Sequence, residues 1–443
     1  MGNTSSAALQ EARRRISVSK TTGQPHLFLG DLGLDEVPLE VAELSHLRQL
    51  SLGWNYSPSA KKWNPDRSFF NPGAMSNLSE LAHLPLEWLD LRATGFNNCA
   101  ALEGFSALRS LNLSHSYVRN IEPLSALSQL QCLELCQTQV TDFKPLQRLG
   151  ALQQLDLYST SVSDLEPLAA LHALQQLNIC STKVTDLEPL AGLSSLRQFN
   201  FSFTGVTELD PLAKITTLQQ LEFRLAPIFD LDALAGLREL QKLDLSTTEV
   251  RDLEPLSGLG ALQKLYFNHT AVSDLGPLAG LSALRKLDLR CARRVTDIGP
   301  LAGLHALQRL ILASTQVTDL TPLTELRNLQ HLDLSRTKVS DLSPLTSLTA
   351  LRSLGLTSTQ VSDLAPLAAY RDLQRLFLDS TQVSDLGPVA GMNSLQELYV
   401  SHTSVTDLGP LAGLTELKRL SVDECAVNSM PPTISPNESW AKQ

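Results

Sequence analysis

The sequence predicts an α/β fold: a curved solenoid with a parallel β-sheet on its concave side and short 3₁₀ or helical turns on its convex side. Three observations support this prediction. A unit rich in leucine recurs at a nearly constant spacing of 22 residues. Within each unit, apolar and polar residues alternate over a few positions, which is typical of a strand with one buried face. The remainder of the unit contains proline and has room for only one short helical turn.

The repeats run through most of the 443 residues. Fourteen of the fifteen steps between successive units span 22 residues and one, from Leu284 to Leu307, spans 23. A degenerate unit begins at Leu47, and Leu27–Leu29 is predicted as a first strand, so about eighteen rungs are expected. A solenoid needs only ~3 repeats for stability. The sixteen regular L-x-x-L-x-L cores begin at Leu86, Leu108, Leu130, Leu152, Leu174, Leu196, Leu218, Leu240, Leu262, Leu284, Leu307, Leu329, Leu351, Leu373, Leu395 and Leu417.

The unit from Leu152 to Ala173 shows why the rungs must stack. Leu155 and Leu157 alternate with polar residues along the predicted strand. Asp164 offers an acceptor to free amides at the start of the following turn, and Pro167 fixes φ where a missing N–H costs little. A single unit cannot bury its leucines, whereas stacked neighbours can.

A column of threonines follows the strands. A buried hydroxyl at a turn must find hydrogen-bond partners, and we expect these to be backbone groups of the neighbouring rung. The column therefore predicts a structural spine rather than a functional site. Its members are Thr138, Thr160, Thr182, Thr204, Thr248, Thr270, Thr315, Thr337, Thr359, Thr381 and Thr403.

The consensus L-x-x-L-x-L-x-x-T-x-V-x-D-L-x-P-L resembles the 22-residue leucine-rich repeats of internalin-type proteins, with Thr where those usually carry Asn. The resemblance covers roughly residues 25–425 and implies a curved leucine-rich-repeat solenoid that binds proteins. The opening segment, EARRRISVSKTTGQPHLFLGDLGLDEVPLEVAELSHLRQLSL, is more similar to the start of the repeat domains of bacterial Roco-type GTPases and related sensor proteins. Neither an internalin signal peptide nor a G-x-x-x-x-G-K-[ST] phosphate loop is recognisable.

Three segments are expected along the chain. Residues 1–24 form an N-terminal capping helix, because Leu9, Ala12 and Ile16 make one apolar stripe. Residues 25–425 form the solenoid, with an insertion near 54–72. Residues 426–443 form a C-terminal cap or tail.

The insertion concentrates aromatic residues, holding five of the 23 in the chain. It is either a binding arm, since exposed aromatics anchor interfaces, or a loop whose rings pack back onto the first rungs. The five residues are Trp54, Tyr56, Trp63, Phe69 and Phe70.

Two rungs depart from the pattern. In the unit at 218–239, Ala226 replaces the Thr and Ala233 replaces the Pro. The unit that begins at Leu284 has one extra residue near Arg293 and Arg294. We interpret this bulge as a local kink that a long array tolerates.

Composition narrows the possible partners. With 36 basic and 46 acidic side chains the formal charge is −10, which argues against nucleic acid or an anionic membrane as the main partner. No stretch approaches the ~18 consecutive apolar residues of a membrane span. The opening Met-Gly-Asn-Thr-Ser-Ser matches an N-myristoylation signal at Gly2, and Arg13, Arg14 and Arg15 would add a basic anchor. Membrane contact is therefore expected only if Gly2 is lipidated.

Known catalytic, metal and cofactor motifs are not found. His331, Asp333 and Ser335 alternate on one strand, roughly 6.6 Å apart, too far for a catalytic triad. Cys132 and Cys136 lie ~13 Å apart along one strand, too far for a disulfide. We expect no enzyme activity, no cofactor, no metal and free thiols, and hence a cytoplasmic location. The six cysteines are Cys99, Cys132, Cys136, Cys180, Cys291 and Cys425.

Strand alternation assigns three outward columns to the concave face. The first column carries a basic stripe: Lys242, Lys264, Lys286 and Arg309. The second is mainly acidic: Asp90, Glu134, Asp156, Glu222, Asp244, Asp288 and Asp333. The third is mixed: Arg92, Tyr158, Arg224, Asn268, Arg290 and Asp379. Either each Lys pairs with the Asp two residues on, giving a self-neutralised face, or the stripe docks an acidic segment of a partner.

Large amphipathic side chains on these columns are the predicted partner-binding residues, because Tyr, Trp and Arg dominate interface hot spots. They are Tyr158, Arg224, Tyr266, Arg290, Phe377 and Tyr399. The sequence thus predicts a non-catalytic scaffold or recognition module that binds a partner protein on its concave face. The alternatives are a bacterial effector delivered into a host cell, with or without a myristoyl group, and the sensor region of a larger NTPase or defence system.

Overall fold

The computed structural model describes residues 6–53 and 75–427. The chain divides into two compact units, Met1–Leu218 and Gln219–Gln443, and each is described by itself. Both are built from the same rung, which consists of a three-residue strand, a tight turn and a short 3₁₀ segment. The predicted leucine-rich-repeat solenoid, with a parallel sheet on one side and 3₁₀ turns on the other, is confirmed.

The first unit contains helix α1 (Ser6–Thr22) and a sheet of eight parallel strands in sequential order. The strands are β1 (His26–Phe28), β2 (Gln49–Ser51), β3 (Trp88–Asp90), β4 (Ser110–Asn112), β5 (Cys132–Glu134), β6 (Gln154–Asp156), β7 (Gln176–Asn178) and β8 (Gln198–Asn200). The 3₁₀ segments are Gly30–Leu32, Leu39–Glu43, Leu78–Leu81, Cys99–Leu102, Glu122–Ala126, Lys144–Arg148, Glu166–Leu168, Glu188–Leu190 and Asp210–Lys214.

The second unit contains ten parallel strands, again in sequential order. They are β9 (Gln220–Glu222), β10 (Lys242–Asp244), β11 (Lys264–Tyr266), β12 (Lys286–Asp288), β13 (Arg309–Ile311), β14 (His331–Asp333), β15 (Ser353–Gly355), β16 (Arg375–Phe377), β17 (Glu397–Tyr399) and β18 (Arg419–Ser421). The 3₁₀ segments are Asp232–Leu234, Glu254–Leu256, Gly276–Leu278, Gly299–Leu301, Thr321–Leu323, Ser343–Leu345, Ala365–Leu367, Gly387–Gly391 and Gly409–Gly413.

The core of each unit is a ladder of apolar side chains, one set per rung. In the rung of β6, Leu155, Leu157, Val162, Leu165 and Leu168 are at most 2% exposed. Equivalent leucines of neighbouring strands lie in register, so every rung covers the apolar side chains of the next. Full burial of each leucine contributes roughly 1.5–3 kcal/mol, which a lone rung would forfeit.

The threonine column is a structural feature, but the expected partner is wrong. Each Thr hydroxyl donates to the carbonyl three residues earlier in its own rung, at 2.6–2.8 Å, rather than to the neighbouring rung. The reason is the residue immediately before the Thr, which adopts a left-handed conformation in every one of these rungs. This conformation folds the chain back sharply, so the hydroxyl comes to lie over the carbonyl of the residue that immediately follows its own strand.

An Asp precedes most of the 3₁₀ segments from Lys144 onward and has the predicted role. Its Oδ1 accepts a hydrogen bond from the amide two residues on; Asp164, for example, accepts from Glu166 at 2.9 Å. The same contact recurs in many rungs. Hydrogen bonds from the hydroxyls of Thr321 and Ser343, and then from their amides, hold the pKa of Asp319 and of Asp341 below the ordinary value for aspartate. These carboxylates orient the turn, as local side chain–backbone bonds do in Asx turns.

Helix α1 forms where the apolar stripe predicts it and packs against β1 and the first two 3₁₀ segments. Ala12 and Ile16 are buried, but Leu9 is 37% exposed and does not complete the stripe. Polar contacts beyond the helix dock it instead: Arg13 pairs with Glu40, Arg15 with Asp31 and Lys20 with Glu43. The capping role of residues 1–24 stays a prediction.

Candidate partner-binding face

The outward columns predicted from the alternation are present in the structure. In β16, for example, Leu376 is buried while Arg375 and Phe377 on either side are partly exposed. The face therefore presents the first and third residues of each strand and the residue two positions further on, which are the first, second and third columns.

Side chains of the second column stabilise the backbone of the face, a role that the sequence pattern did not predict. Its Asp and Asn side chains accept a hydrogen bond from the amide two residues later, at 2.9–3.1 Å, and so fix the backbone that carries the third column. The pairs of acceptor and donor residues are Asp90 and Arg92, Asn112 and Ser114, Asp156 and Tyr158, Asn178 and Cys180, Asn200 and Ser202, Asp244 and Ser246, Asp288 and Arg290, and Asp333 and Ser335.

Neither Lys242 nor Lys286 contacts the Asp two positions further along its strand. The ammonium of Lys242 lies 2.6 Å from Glu222 of the preceding strand instead. The ammonium of Lys286 lies 4.8 Å from the centre of the Tyr266 ring, a cation–π contact. Both partners are diagonal neighbours, since Lys242 is in register with Gln220 and Lys286 with Lys264. The direction of each long side chain across the sheet, rather than strand register, therefore selects the contact. The predicted pairing within a strand is therefore wrong for both lysines: Lys242 pairs with a carboxylate of the neighbouring rung, and Lys286 contacts an aromatic ring.

The six predicted partner-binding residues all lie on the face. Tyr158 is 37% exposed in the first unit. In the second unit Arg224 and Arg290 have half-exposed side chains near carboxylates, 3.8 Å from Asp244 and 3.9 Å from Asp288 respectively. Burial raises the pKa of Asp244.

Tyr266 and the two C-terminal aromatics occupy the surroundings that the pattern predicts. Tyr266 lies in register between Asp244 and Asp288, which gives an apolar ring inside a charged rim. Phe377 and Tyr399 are register partners on adjacent strands. Their ring centres are 5.0 Å apart and the planes are inclined by 14°, so the rings stack.

Exposed apolar residues outside the three columns were not predicted. Phe203 is 50% exposed in the first unit, and Leu225 and Phe229 are 46% and 64% exposed in the second. Phe203 and Leu225 occupy the left-handed position of their turns, where a side chain projects away from the core. Because sequence periodicity classifies them only as loop residues, it gave no signal for their exposure.

Two grooves of the second unit were also missed. One, of about 330 Å³, lies over Gly355 and is lined by Arg309, His331, Arg375 and Phe377, among others. A glycine in the second column was the available signal, since it leaves a gap in a row of side chains.

The other groove lies beside the bulged rung and has a volume of about 430 Å³. Arg251, His269, Arg293 and Arg294 contribute to its lining. Arg293 and Arg294 of the bulged rung therefore contribute to a depression rich in basic side chains, and the local kink stays a prediction.

The row of His331, Asp333 and Ser335 does not form a triad. Nδ1 of His331 is buried without a hydrogen-bond partner, and Asp333 accepts from the backbone amide of Ser335. Burial, and then the charge of Arg309, lower the pKa of His331.

The cysteines are free thiols. Burial raises the pKa of Cys99 and of Cys136 to about 12, so both stay protonated and are poor nucleophiles and metal ligands. Across residues 6–53 and 75–427, His, Cys, Asp and Glu side chains nowhere gather in the number that a metal site needs.

Several predicted features lie outside the described residues. They are the lipidation site Gly2, the insertion aromatics Trp54, Tyr56, Trp63, Phe69 and Phe70, and nearly all of the 426–443 tail. The arginines proposed to assist a lipid anchor are all paired with carboxylates: Arg13 with Glu40, Arg14 with Glu11 and Arg15 with Asp31. Within the part of the chain that the structure covers, every helix is too short or too polar to cross a membrane.

The repeats match a sequence model of the family described as Leucine Rich repeats (2 copies), at residues 305–347 and 327–369. No curated protein matches the chain. Sequence pattern, rung geometry and fold together define a leucine-rich-repeat protein.

Comparison with solved structures identifies the kind of leucine-rich-repeat protein that this chain is similar to. An internalin, InlF of Listeria monocytogenes, is 27% identical over 72% of this chain and 88% of its own, with a TM-score of 0.62. The protein is therefore internalin-like in its repeats and fold. The resemblance of the opening segment to Roco-type proteins stays a prediction.

Two more distant structures show the same fold with ligands bound. The ectodomain of the Arabidopsis thaliana receptor kinase GASSHO1/SCHENGEN3, in complex with CASPARIAN STRIP INTEGRITY FACTOR 2, is 17% identical over 88% of this chain and 54% of its own, with a TM-score of 0.51. The TLR13–ssRNA13 complex is 19% identical over 91% of this chain and 65% of its own, with a TM-score of 0.61. In these two neighbours the fold holds a ligand, and because one of them is a complex with RNA, the fold by itself does not exclude nucleic acid.

Proposed function

We propose that this chain is a non-catalytic recognition module that binds a partner protein on the outward face of its sheet, the side expected to be concave. The stacked pair Phe377 and Tyr399 is the observation that carries the proposal. Two rings on consecutive strands form a rigid, partly exposed apolar surface whose ordering cost is already met in the free protein.

The surroundings of the pair resemble those of a protein interface. Apolar hot spots are generally enclosed by polar side chains that exclude water. Here Arg375 and Glu397 of the same strands provide such a rim in the first column. Tyr266, with Lys286 over its ring, offers a second anchor of the same kind within the second unit.

The absence of catalytic function remains part of the proposal. It rests on the roles found for the polar side chains of the face, because the second-column carboxylates serve the backbone and His331 has no partner on Nδ1. The host-delivered, lipid-anchored alternative gains no support from α1, whose arginines are paired. A cytoplasmic location stays a prediction from the free thiols.

The test begins with a pull-down by the full chain and mass-spectrometric identification of bound protein. Replacing Phe377 and Tyr399 together with Ser should then weaken the affinity for that partner by ~2 kcal/mol or more, because both rings lose their buried contact area. Calorimetric titration measures the loss, and an unchanged melting temperature shows that the fold persists.

Phe203→Ser is the matched control, since it removes a half-exposed ring from a turn rather than from the sheet face. Its affinity should equal that of the wild type. Loss of binding in the control, with full binding in the double variant, would move the site to the turn edge and overturn the proposal.

A further inference from the structure

The groove over Gly355 is a gap in the second outward column. The residues of this column in β13 to β16 are Ile311, Asp333, Gly355 and Phe377. A Cβ atom at position 355 would lie 2.6 Å from Oδ1 of Asp333 and 3.1 Å from the hydroxyl of Ser335. Any side chain there would fill the depression, so the glycine keeps it open.

Positive charge outweighs negative charge along the groove. Arg309 and Arg375 line it from the first column, and Asp333 is the carboxylate among its lining residues. That carboxylate is engaged by the amide of Ser335 at 3.0 Å. His331 lies between the two arginines and is held in its neutral form, because burial and the neighbouring Arg309 lower its pKa. Two guanidinium groups therefore face one carboxylate.

Two polar atoms in the wall of the groove have unmet hydrogen-bonding capacity. Nε of Arg309 and Nδ1 of His331 are buried and have no hydrogen-bond partner. A buried polar group without a partner costs about 1–3 kcal/mol. An acceptor that entered the groove would pair with Nε–H of Arg309, and with His331 in the tautomer that carries the proton on Nδ1, and would recover part of this cost after a small rotation of the side chain.

One end of the groove is apolar and rigid. Phe377 lines it and is held in place by its stack with Tyr399. Ile311, at the other end, is only 4% exposed. The groove thus combines a charged side with an aromatic wall that is continuous with the proposed partner-binding pair.

We infer that the groove receives an acidic side chain of the bound partner protein, with its carboxylate between Arg309 and Arg375 and its methylene groups against Phe377. Guanidinium groups bind carboxylates in a directional, often bidentate way, which specifies the register of a docked chain. This inference rests on the proposed function, because the acidic residue belongs to a polypeptide lying along the same face. Of the basic stripe, Arg309 is the member that serves this purpose, whereas Lys242 and Lys286 have the partners described above.

The test uses two blocked tripeptides, acetyl-Ala-Glu-Ala-amide and acetyl-Ala-Gln-Ala-amide, added to the full chain labelled on histidine. The ring signal of His331, assigned by its loss in His331→Gln, should shift saturably with the glutamate peptide and stay in place with the glutamine peptide. Arg309→Gln and Arg375→Gln should each weaken the binding of the glutamate peptide at least tenfold. Gly355→Ser, which changes no charge, should weaken it as well by filling the groove.

Arg419→Gln is the matched control, because it removes the same charge from the same column two strands beyond Arg375. It should leave peptide affinity unchanged. Equal responses to both peptides, an equal loss in the control, or tighter binding of free glutamate than of the blocked peptide would overturn the inference. Arg309→Gln and Arg375→Gln could leave the affinity for the glutamate peptide unchanged while the double replacement of Phe377 and Tyr399 still abolishes partner binding. That result would refute the groove inference alone and leave the proposed function standing.

Discussion

Tyr370 shows how a single residue can depart from the repeat and still be fully satisfied. It occupies the position that Leu348 fills in the preceding rung, and it is completely buried. Its hydroxyl donates to the carbonyl of Leu345 in that rung. Burial raises the pKa of Tyr370, so the hydroxyl remains a donor across the physiological pH range. The periodicity predicts a buried side chain here but not the hydrogen bond between rungs.

Tyr370→Phe should lower the free energy of unfolding by about 0.5–1.5 kcal/mol, because the carbonyl of Leu345 loses one of two donors and keeps the amide of Leu348, while the ring still fills the space. Urea unfolding monitored by circular dichroism measures the change. Tyr158→Phe, which removes a hydroxyl from an exposed ring, is the control and should leave the midpoint unchanged. Equal midpoints for all three proteins would contradict the role given to the Tyr370 hydroxyl.

At the scale of the element, the turn after each strand depends on a backbone conformation that most residues avoid. Ser358, with φ of 56°, is one of a column of non-glycine residues in the left-handed region. This conformation costs an L-residue roughly 1–2 kcal/mol, which the stacked rung must offset. It lets Thr359 donate to the carbonyl of Leu356 within its own rung.

Ser358→Gly should therefore raise the stability of the chain by about 0.5–1 kcal/mol, the relieved strain exceeding the entropy that glycine adds to the unfolded state. Ser358→Val should lower it, because a β-branched residue fits the left-handed region poorly. Thermal unfolding of both variants provides the measurement. Thr357→Gly, one position earlier and outside the left-handed column, is the control and should destabilise. A stabilising Thr357→Gly would show that strain is not the cause.

At the scale of the whole molecule, a stack of rungs must cover the apolar side chains of its terminal rungs. Helix α1 packs with Ala12 and Ile16 against the first rungs and is tied down by ion pairs. An end without such a cover exposes apolar side chains, and large exposed apolar patches drive association.

Ile16→Asp should undock α1 and cause self-association, because a buried isoleucine is replaced by a charge. Size-exclusion chromatography with light scattering detects the change. Ser17→Asp introduces the same charge at an adjacent exposed position and should remain monomeric to the same extent as the wild type. An Ile16→Asp protein that is equally soluble and equally heat-stable would refute the capping role.

The sequence by itself determined the rung. Its 22-residue spacing identifies the repeat, the alternation assigns Leu155 to the core and Tyr158 to the face, and Asp164 marks the start of the 3₁₀ segment. These features are local and recur along the chain, so each rung predicts the same local structure. The column positions of Phe377 and Tyr399 follow from the same spacing.

Only the tertiary structure decided how side chains of neighbouring rungs use one another. The contact of Lys242 with Glu222, the place of Lys286 over Tyr266 and the groove over Gly355 all depend on side-chain direction across strands. Periodicity fixes which residues are neighbours, but each outward side chain has several rotamers and more than one partner within reach. Packing and charge in the assembled sheet select among them, and that selection is what forms the face that a partner would meet.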